Sequence, residues 1–261
     1  MIIDFHAHVY PEKVALKAAT AIGKFYDTQM AYTGSAKELL ESGEQIGVTK
    51  YVVHSAATGA PQVESINNFI AGEVRDHDKF IGYGTMHPDY KNFENEIQRM
   101  KYDLNLKGVK LHPDFQKFQI DADEMDPIYN VLAYEKMPVI VHAGDCRFDF
   151  SGPARIAHVM DKHPDLTVIA AHFGGYTEWE NSFNLLCGRD VFFDTSSTLW
   201  KLPIEWANKM IEKHGVEKFF FGSDYPMWDH KEELERFNKL SLNDREREMI
   251  LYENAAGLLG L

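Results

Sequence analysis

The chain has 261 residues, of which 40 are acidic and 27 are basic, giving a formal net charge of −13. This length suits one large domain, and the acidic balance argues against nucleic acid or an anionic membrane as a partner. No apolar stretch approaches the roughly 18 residues of a membrane span. Two cysteines without a pairing pattern, Cys146 and Cys187, fit a reducing compartment. We therefore expect a cytoplasmic protein that acts on a small molecule, with homodimerisation left open.

Short apolar runs alternate with helical patterns along the chain. The predicted strands are 2–5, 50–54, 80–86, 107–111, 138–141, 167–171, 191–195 and 218–222. The predicted helices are 35–46, 61–77, 90–104, 123–136, 152–163, 178–188, 203–214 and 243–258. Eight such alternations predict a single (β/α)8 TIM barrel over residues 1–261. A doubly wound open sheet is the alternative, but its usual glycine-rich turn after the first strand is missing here.

Histidines are concentrated where the apolar runs end. Seven histidines and one aspartate occupy such places: His6, His8, His54, His87, His112, His142, His172 and Asp224. In a barrel the carboxyl ends of the strands converge on one face, which carries the catalytic residues. We therefore expect these side chains to share one pocket. The other five histidines are predicted to be solvated or to cap helices: His77, His158, His163, His214 and His230.

The spacing of these residues favours a metal site. His6 and His8 are two residues apart on a strand, so both imidazoles point the same way. An imidazole or carboxylate after an apolar run, such as His142 or Asp224, needs a partner, which is either a metal ion or a backbone group. Nitrogen and carboxylate ligands without thiolate favour Zn2+, with Mn2+, Fe2+ and Co2+ as alternatives.

Several motifs resemble the amidohydrolase superfamily. They are most similar to the branch that includes aminocarboxymuconate-semialdehyde decarboxylase and γ-resorcylate decarboxylase. The matching segments span nearly the whole chain: 3–8 (IDFHAH), 108–113 (GVKLHP), 141–144 (VHAG), 171–175 (AHFGG), 194–197 (DTSS), 222–226 (GSDYP) and 254–259 (NAAGLL).

The resemblance implies roles for individual residues. It implies that His6, His8, His142 and Asp224 hold one metal ion with a water molecule. His172 would orient or deprotonate that water, and Asp224 is a second catalytic candidate because its counterpart in other members is the general base. Binuclear members place a carboxylated lysine near Lys110. If Lys110 were carboxylated, His142 and His172 could serve a second ion; we expect an unmodified lysine and one ion.

Three residues are predicted to contact the substrate. Lys110 could pair with a substrate carboxylate, and His112 points the same way two residues later. Arg147 could hold a carboxylate with its fork, or form a salt bridge with Asp145 or Asp149 instead. Residues 9–34 form either a partial lid or a packed excursion.

The expected activity is hydrolysis. Metal-bound hydroxide would attack an amide, ester or lactone of a small, carboxylate-bearing substrate. Nonoxidative decarboxylation on the same site is the alternative. Residues 1–74 contain no arginine, and this disfavours the arginine-rich substrate contacts of the branch's decarboxylases. A non-enzymatic metal-binding scaffold and a metal-dependent deoxyribonuclease are further, less favoured hypotheses.

Overall fold

Eight parallel strands form the centre of the molecule. The computed structural model describes residues 1–261. The strands are Ile2–His8 (β1), Val48–His54 (β2), Phe80–Thr85 (β3), Gly108–Leu111 (β4), Val139–Val141 (β5), Val168–Ala170 (β6), Phe192–Asp194 (β7) and Phe219–Phe220 (β8). They pair in sequence order, each parallel to the next. Backbone bonds from Phe5 N to Phe221 O (2.8 Å) and from His8 N to Tyr225 O (2.7 Å) join the last strand to the first. The predicted TIM barrel is confirmed.

Helices surround the sheet. They are Glu12–Tyr26 (α1), Ala36–Glu44 (α2), Val63–Asp76 (α3), Phe93–Tyr102 (α4), Pro113–Gln116 (α5), Asp126–Tyr134 (α6), Pro153–Lys162 (α7), Trp179–Leu185 (α8), Ile204–His214 (α9), His230–Phe237 (α10), Asp244–Glu248 (α11) and Asn254–Leu259 (α12). Each predicted helix has a counterpart, although the last one is divided by a π-helical turn at Met249–Glu253. The sequence did not predict α1, α10 or the short helix α5. None of these helices combines the length and the hydropathy of a membrane-spanning segment.

The core has an outer and an inner layer. The larger layer, 49 buried residues, includes alternate strand positions such as Val139 and Val141. The smaller cluster of ten buried residues includes Ile3, Phe5 and Ile140. Because side chains alternate along a strand, His142 follows Ile140 on the inner side. The same alternation places Lys110 inside, because its neighbours Val109 and Leu111 belong to the outer layer.

A register shift in β1 turns its histidines inward. Ile3 and Phe5 belong to the inner cluster, whereas Ala7 belongs to the outer layer. The pairing of β1 with β2 shifts between Asp4 and Ala7. An extra residue of this kind re-aims side chains, and such bulges are common beside active sites. His6 is therefore brought to the interior immediately after Phe5.

Three of the five helix-associated histidines are buried and not solvated: His163, His214 and His230. The capping alternative holds for His77 and His163, which are the C-cap residues of α3 and α7. Among the buried histidines, His230 is the clearest case. Its Nε2 lies 3.0 Å from Asp4 Oδ2 and its Nδ1 lies 2.8 Å from Ser42 Oγ. The other Asp4 oxygen accepts from the backbone N–H groups of His6 and Ser223. This network ties β1 to the loop after β8 beneath the pocket.

Candidate metal centre and active site

A cavity of about 490 Å³ opens at the carboxyl ends of the strands. Its polar groups include His8, His112, His142 and Asp224. The rest of the wall is mainly apolar. Much of it comes from α1, through Ala18, Ala21, Ile22, Phe25 and Tyr26, and from Met30, Ile66, Phe115, Pro226 and Met227. Residues 9–34 therefore contribute helix α1 to the cavity wall, which is the position that the partial-lid interpretation requires.

Three donor atoms converge at the floor of this cavity. Nε2 of His6 lies 3.3 Å from Nε2 of His8. Both nitrogens lie 3.4 Å from Asp224 Oδ1. Ligands about 2.0–2.2 Å from a tetrahedral zinc ion are about 3.3–3.5 Å apart from one another. These three side chains therefore have the separation that a divalent cation requires.

The outer nitrogen of His6 is held by a carboxylate. Its Nδ1 lies 2.8 Å from Asp194 Oδ2, and both residues are fully buried. Burial alone would raise the pKa of Asp194, but the charge and hydrogen bond of His6 lower it well below its usual range. Donation from Nδ1 leaves Nε2 as the lone-pair nitrogen, as in carboxylate–histidine–metal arrangements. The sequence analysis had Asp194 in a family motif but gave it no role.

His172 and His142 form a second group of donors. The Nδ1 of His172 donates to the carbonyl of Ser196 at 3.1 Å, so its Nε2 carries the lone pair. That nitrogen lies 2.9 Å from Nδ1 of His142. Burial lowers the pKa of His172 to about 4, so its imidazole is neutral at pH 7. His172 has a positive φ of 62° and Asp224 one of 57°, and such backbone strain is typical of functional sites.

Asp224 is held as an ionised carboxylate. Its Oδ2 accepts a hydrogen bond from Ser197 Oγ, which leaves Oδ1 for the two histidines of β1. Burial would raise the pKa of Asp224, but the charge of His6 and the hydrogen bond from His8 lower it well below its usual range. His8 itself is neutral, since burial lowers its pKa to about 4.

Lys110 lies between these donors. It is fully buried, and its Nζ is 3.0 Å from His6 Nε2. Burial lowers the pKa of Lys110 to about 8, although Asp194 and Asp224 partly oppose the shift. The amine therefore reaches the metal-ligand group, and it does not line the cavity.

His112 and Tyr26 complete the polar floor. The ring of His112 stacks on that of His142, with centroids 4.1 Å apart. The hydroxyl of Tyr26 lies 3.2 Å from His112 Nε2 and 3.3 Å from His142 Nε2. Asp114 is also fully buried, with Oδ2 3.4 Å from His142 Nε2, but neither of its oxygens is hydrogen-bonded. Its pKa is raised to about 7 by burial and by Asp145.

Arg147 is not on the cavity wall. Its Nε and Nη2 lie 2.9 and 2.6 Å from the two oxygens of Asp145. Its Nη1 donates to the carbonyl of Phe25 at 2.7 Å. Arg147 therefore forms the salt bridge with Asp145 that was the alternative to substrate binding. Its guanidinium group is already paired and is not available to a substrate carboxylate.

The structure thus brings the predicted residues together, apart from Arg147. His6 and His172 have their outer nitrogens bonded to oxygen, which directs the Nε2 atom of each toward the centre. Four inward nitrogens and one carboxylate remain: His6 Nε2, His8 Nε2, His142 Nδ1, His172 Nε2 and Asp224 Oδ1. This nitrogen and oxygen set fits a divalent transition metal.

Comparison with known proteins identifies the family. Residues 3–261 match the family model described as Amidohydrolase. The chain therefore belongs to the amidohydrolase family, as the sequence motifs indicated.

Solved structures with the same fold share little sequence with it. The 5-carboxyvanillate decarboxylase of Sphingomonas paucimobilis is 15% identical with a TM-score of 0.75, over 100% of this chain and 99% of that one. A dihydroxybenzoic acid decarboxylase from Polaromonas sp. JS666, with bound manganese and 2-nitroresorcinol, gives 14% and 0.75, over 100% and 97%. A probable 2-pyrone-4,6-dicarboxylic acid hydrolase from Acinetobacter baumannii gives 17% and 0.74, over 100% and 99%. At these identities the likeness supports the fold alone.

Proposed function

We propose that the protein is a metal-dependent hydrolase that cleaves an uncharged amide, ester or lactone with a compact apolar body. The observation that supports this most directly is the triangle of His6, His8 and Asp224 beneath a cavity with mainly apolar walls. No arginine lines that cavity. A substrate with several carboxylates would meet no guanidinium and only one lysine there, Lys117. Arg147 is paired with Asp145, so its predicted carboxylate-binding role is not retained.

His6, His8 and Asp224 would hold the cation, with His142 as a further nitrogen donor; His172 would bind metal only in a two-ion site. When bound, such a cation lowers the pKa of a water molecule and polarises a carbonyl oxygen. Zinc and manganese both suit this donor set. The 2.9 Å approach of His142 to His172 supports a two-ion variant in which Lys110 is carboxylated, and metal stoichiometry distinguishes it from the one-ion form.

The chain's own groups supply the proton transfer. His172 keeps its Nδ1 proton on the Ser196 carbonyl, so an incoming proton is accepted at Nε2. The same carbonyl then stabilises the imidazolium through the hydrogen bond that already exists. Asp224 is the second candidate base, since it remains ionised and Ser197 holds its other oxygen.

Nonoxidative decarboxylation is the second candidate. It is favoured by the likeness in fold to two decarboxylases of aromatic acids. The apolar cavity, with Phe25 and Phe115 on its wall, suits an aromatic ring. In this reaction a single carboxylate would face the cation, and His172 would deliver the proton that replaces carbon dioxide.

Product analysis on metal-loaded protein separates the two. Protein loaded with Mn2+ or Zn2+ is assayed by pH-stat on a panel of p-nitrophenyl esters, lactones and N-acyl amides. Release of carbon dioxide is measured in parallel from 5-carboxyvanillate and dihydroxybenzoate. Hydrolysis without carbon dioxide release supports the proposal, and the reverse supports the second candidate. Equal turnover by an Asp224→Asn variant would contradict both, because the activity would not depend on the site.

A further inference from the structure

Helix α1 contributes one polar group to the floor of the cavity. Five of its side chains line the cavity, and four of them are apolar: Ala18, Ala21, Ile22 and Phe25. The fifth, Tyr26, stands at the end of the helix, and its hydroxyl contacts His112 and His142 at 3.2 and 3.3 Å. Helix α1 therefore contacts the histidines at the cavity floor through one polar atom, the Tyr26 hydroxyl oxygen.

The hydroxyl of Tyr26 can form a hydrogen bond with His142 Nε2 whether the ring proton is on Nδ1 or on Nε2. A tyrosine hydroxyl can donate one hydrogen bond and accept others. Without a cation, His142 donates from Nδ1 to His172, and Tyr26 donates to His142 Nε2. If Nδ1 held a cation, the ring proton would lie on Nε2, and the Tyr26 hydroxyl would accept from it while donating to His112. Metal-binding imidazoles are usually oriented by such a bond to their outer nitrogen.

A charged pair fastens α1 in this position. Arg147 is fixed by two bonds to Asp145, a residue of the loop after β5. Its remaining nitrogen donates to the carbonyl of Phe25, in the last turn of α1, where carbonyls lack helical partners and a cation is favourable. The guanidinium also lies over the rings of Phe25 and Tyr26, at 4.7 and 5.3 Å from their centroids.

We propose that Tyr26 is a positioning residue for the metal-binding face of His142, and that Arg147 acts through it by holding the end of α1. Cation binding and closure of the lid are then coupled. By reciprocity, whatever α1 adds to cation affinity, the cation adds to the stability of the closed helix. This inference rests on the proposed function, because it requires a cation at the centre.

The coupling can be measured without any substrate. Hydrogen exchange of peptides covering residues 12–30 is followed with and without Mn2+, and Mn2+ affinity is measured by calorimetry. We expect Mn2+ to slow exchange in the last turn of α1. Tyr26→Phe should weaken Mn2+ binding about 10-fold, as loss of an outer partner does, and should remove that protection. Arg147→Met should have a smaller effect in the same direction.

Arg155 provides the matched control. Arg155 donates hydrogen bonds to Asp149 of the same loop, from Nε at 2.9 Å and from Nη2 at 2.6 Å. Its third nitrogen binds Asp121 and not α1. Arg155→Met should therefore leave both Mn2+ affinity and protection of α1 at wild-type values. Exchange of peptides that contain β5 serves as an internal check that each variant is folded.

The double variant tests whether Arg147 acts through Tyr26. If it does, Tyr26→Phe combined with Arg147→Met binds Mn2+ no more weakly than Tyr26→Phe alone. Additive losses would contradict the coupling, and so would unchanged protection of α1 in Tyr26→Phe. Those results would leave the proposed function intact, provided that the wild type binds Mn2+. Absence of Mn2+, Zn2+ and Co2+ binding by the wild type would overturn both.

Discussion

The two sides of the pocket floor differ in how their polar atoms are satisfied. On the side of β1, β6 and β7, His6 and His172 are bonded to Asp194 and Ser196. On the side of β2 and β4, several buried polar atoms have no hydrogen-bond partner within the protein: both nitrogens of His54, Nδ1 of His112 and both oxygens of Asp114. An unpartnered buried polar group costs about 1–3 kcal/mol. We call the first the bonded side, because its histidines are held in fixed directions. We call the second the unsatisfied side, because its buried polar atoms have no partner within the protein.

The largest expected effect is on the bonded side. His6→Ala and Asp224→Asn each remove one corner of the donor triangle, so each should abolish turnover and reduce bound metal below one tenth of the wild-type content. Elemental analysis after dialysis measures the metal. His87→Ala is the control, because His87 also ends a strand but contacts none of the ligands. Full metal content in either site variant would refute the ligand assignment.

Asp194→Asn tests the fixed direction of His6. The amide keeps the shape of the carboxylate but can present its NH2 group to His6 Nδ1, which favours the wrong tautomer. Metal affinity should fall about 10–100-fold. Unfolding free energy should also fall by about 3 kcal/mol, since a charge partner of a buried pair is lost. Calorimetric titration with Zn2+ and urea unfolding measure the two effects. Wild-type affinity would mean that Asp194 does not orient His6.

Asp114→Asn tests the unsatisfied side. Asp114 has a pKa of about 7 when folded, against about 3.9 in an unfolded chain. The folded state therefore holds an extra proton between these values, and stability falls as pH rises from about 4 to 7. This loss of unfolding free energy is at most about 4 kcal/mol, because each pKa unit corresponds to about 1.36 kcal/mol. Asparagine does not titrate, so the free energy of unfolding of the metal-free variant should rise relative to that of the wild type by about 2 kcal/mol between pH 4 and pH 8.

Urea unfolding of both proteins in chelator, at several pH values, isolates this difference. The charged groups that face Asp114 are present in both proteins: the carboxylates of Asp145 and Glu178 and the cations of Lys117 and Arg147. A constant difference between the two proteins across the range would mean that Asp114 stays ionised in the folded state. The comparison between the two sides of the floor would then fail at this residue.

The bonded side was easier to foresee from sequence than the unsatisfied side. His6, His142 and Asp224 follow apolar runs, and parallel strands must bring such residues to one face. Asp194 also ends a strand, yet its role depends on a contact with His6 across 188 positions. No local pattern reveals that contact. Arg147 illustrates the same limit, since the sequence offered it neighbouring aspartates and a substrate, and only the fold decided between them.

Helix α1 was missed for a different physical reason. Its buried positions are Ala15, Ala19 and Gly23, four residues apart. Small residues let the helix approach closely, and a Cβ on Gly23 would lie 2.7 Å from the carbonyl of Thr28. Small residues bury little apolar surface, and exposed Val14 and Leu16 blur the amphipathic pattern. The four-residue spacing of small side chains was the available signal.

His54→Phe is expected to have the smallest effect, and it tests the comparison between the bonded and unsatisfied sides most directly. The substitution keeps a flat ring and removes two nitrogens that have no partner, so the metal-free protein should gain about 1 kcal/mol in unfolding free energy. His214→Phe is the control. Both of its nitrogens are bonded, to Gly188 N–H at 3.0 Å and to the Val191 carbonyl at 2.9 Å, so that variant should lose stability. Equal losses in the two variants, measured by urea unfolding at pH 7, would mean that the nitrogens of His54 are satisfied in solution.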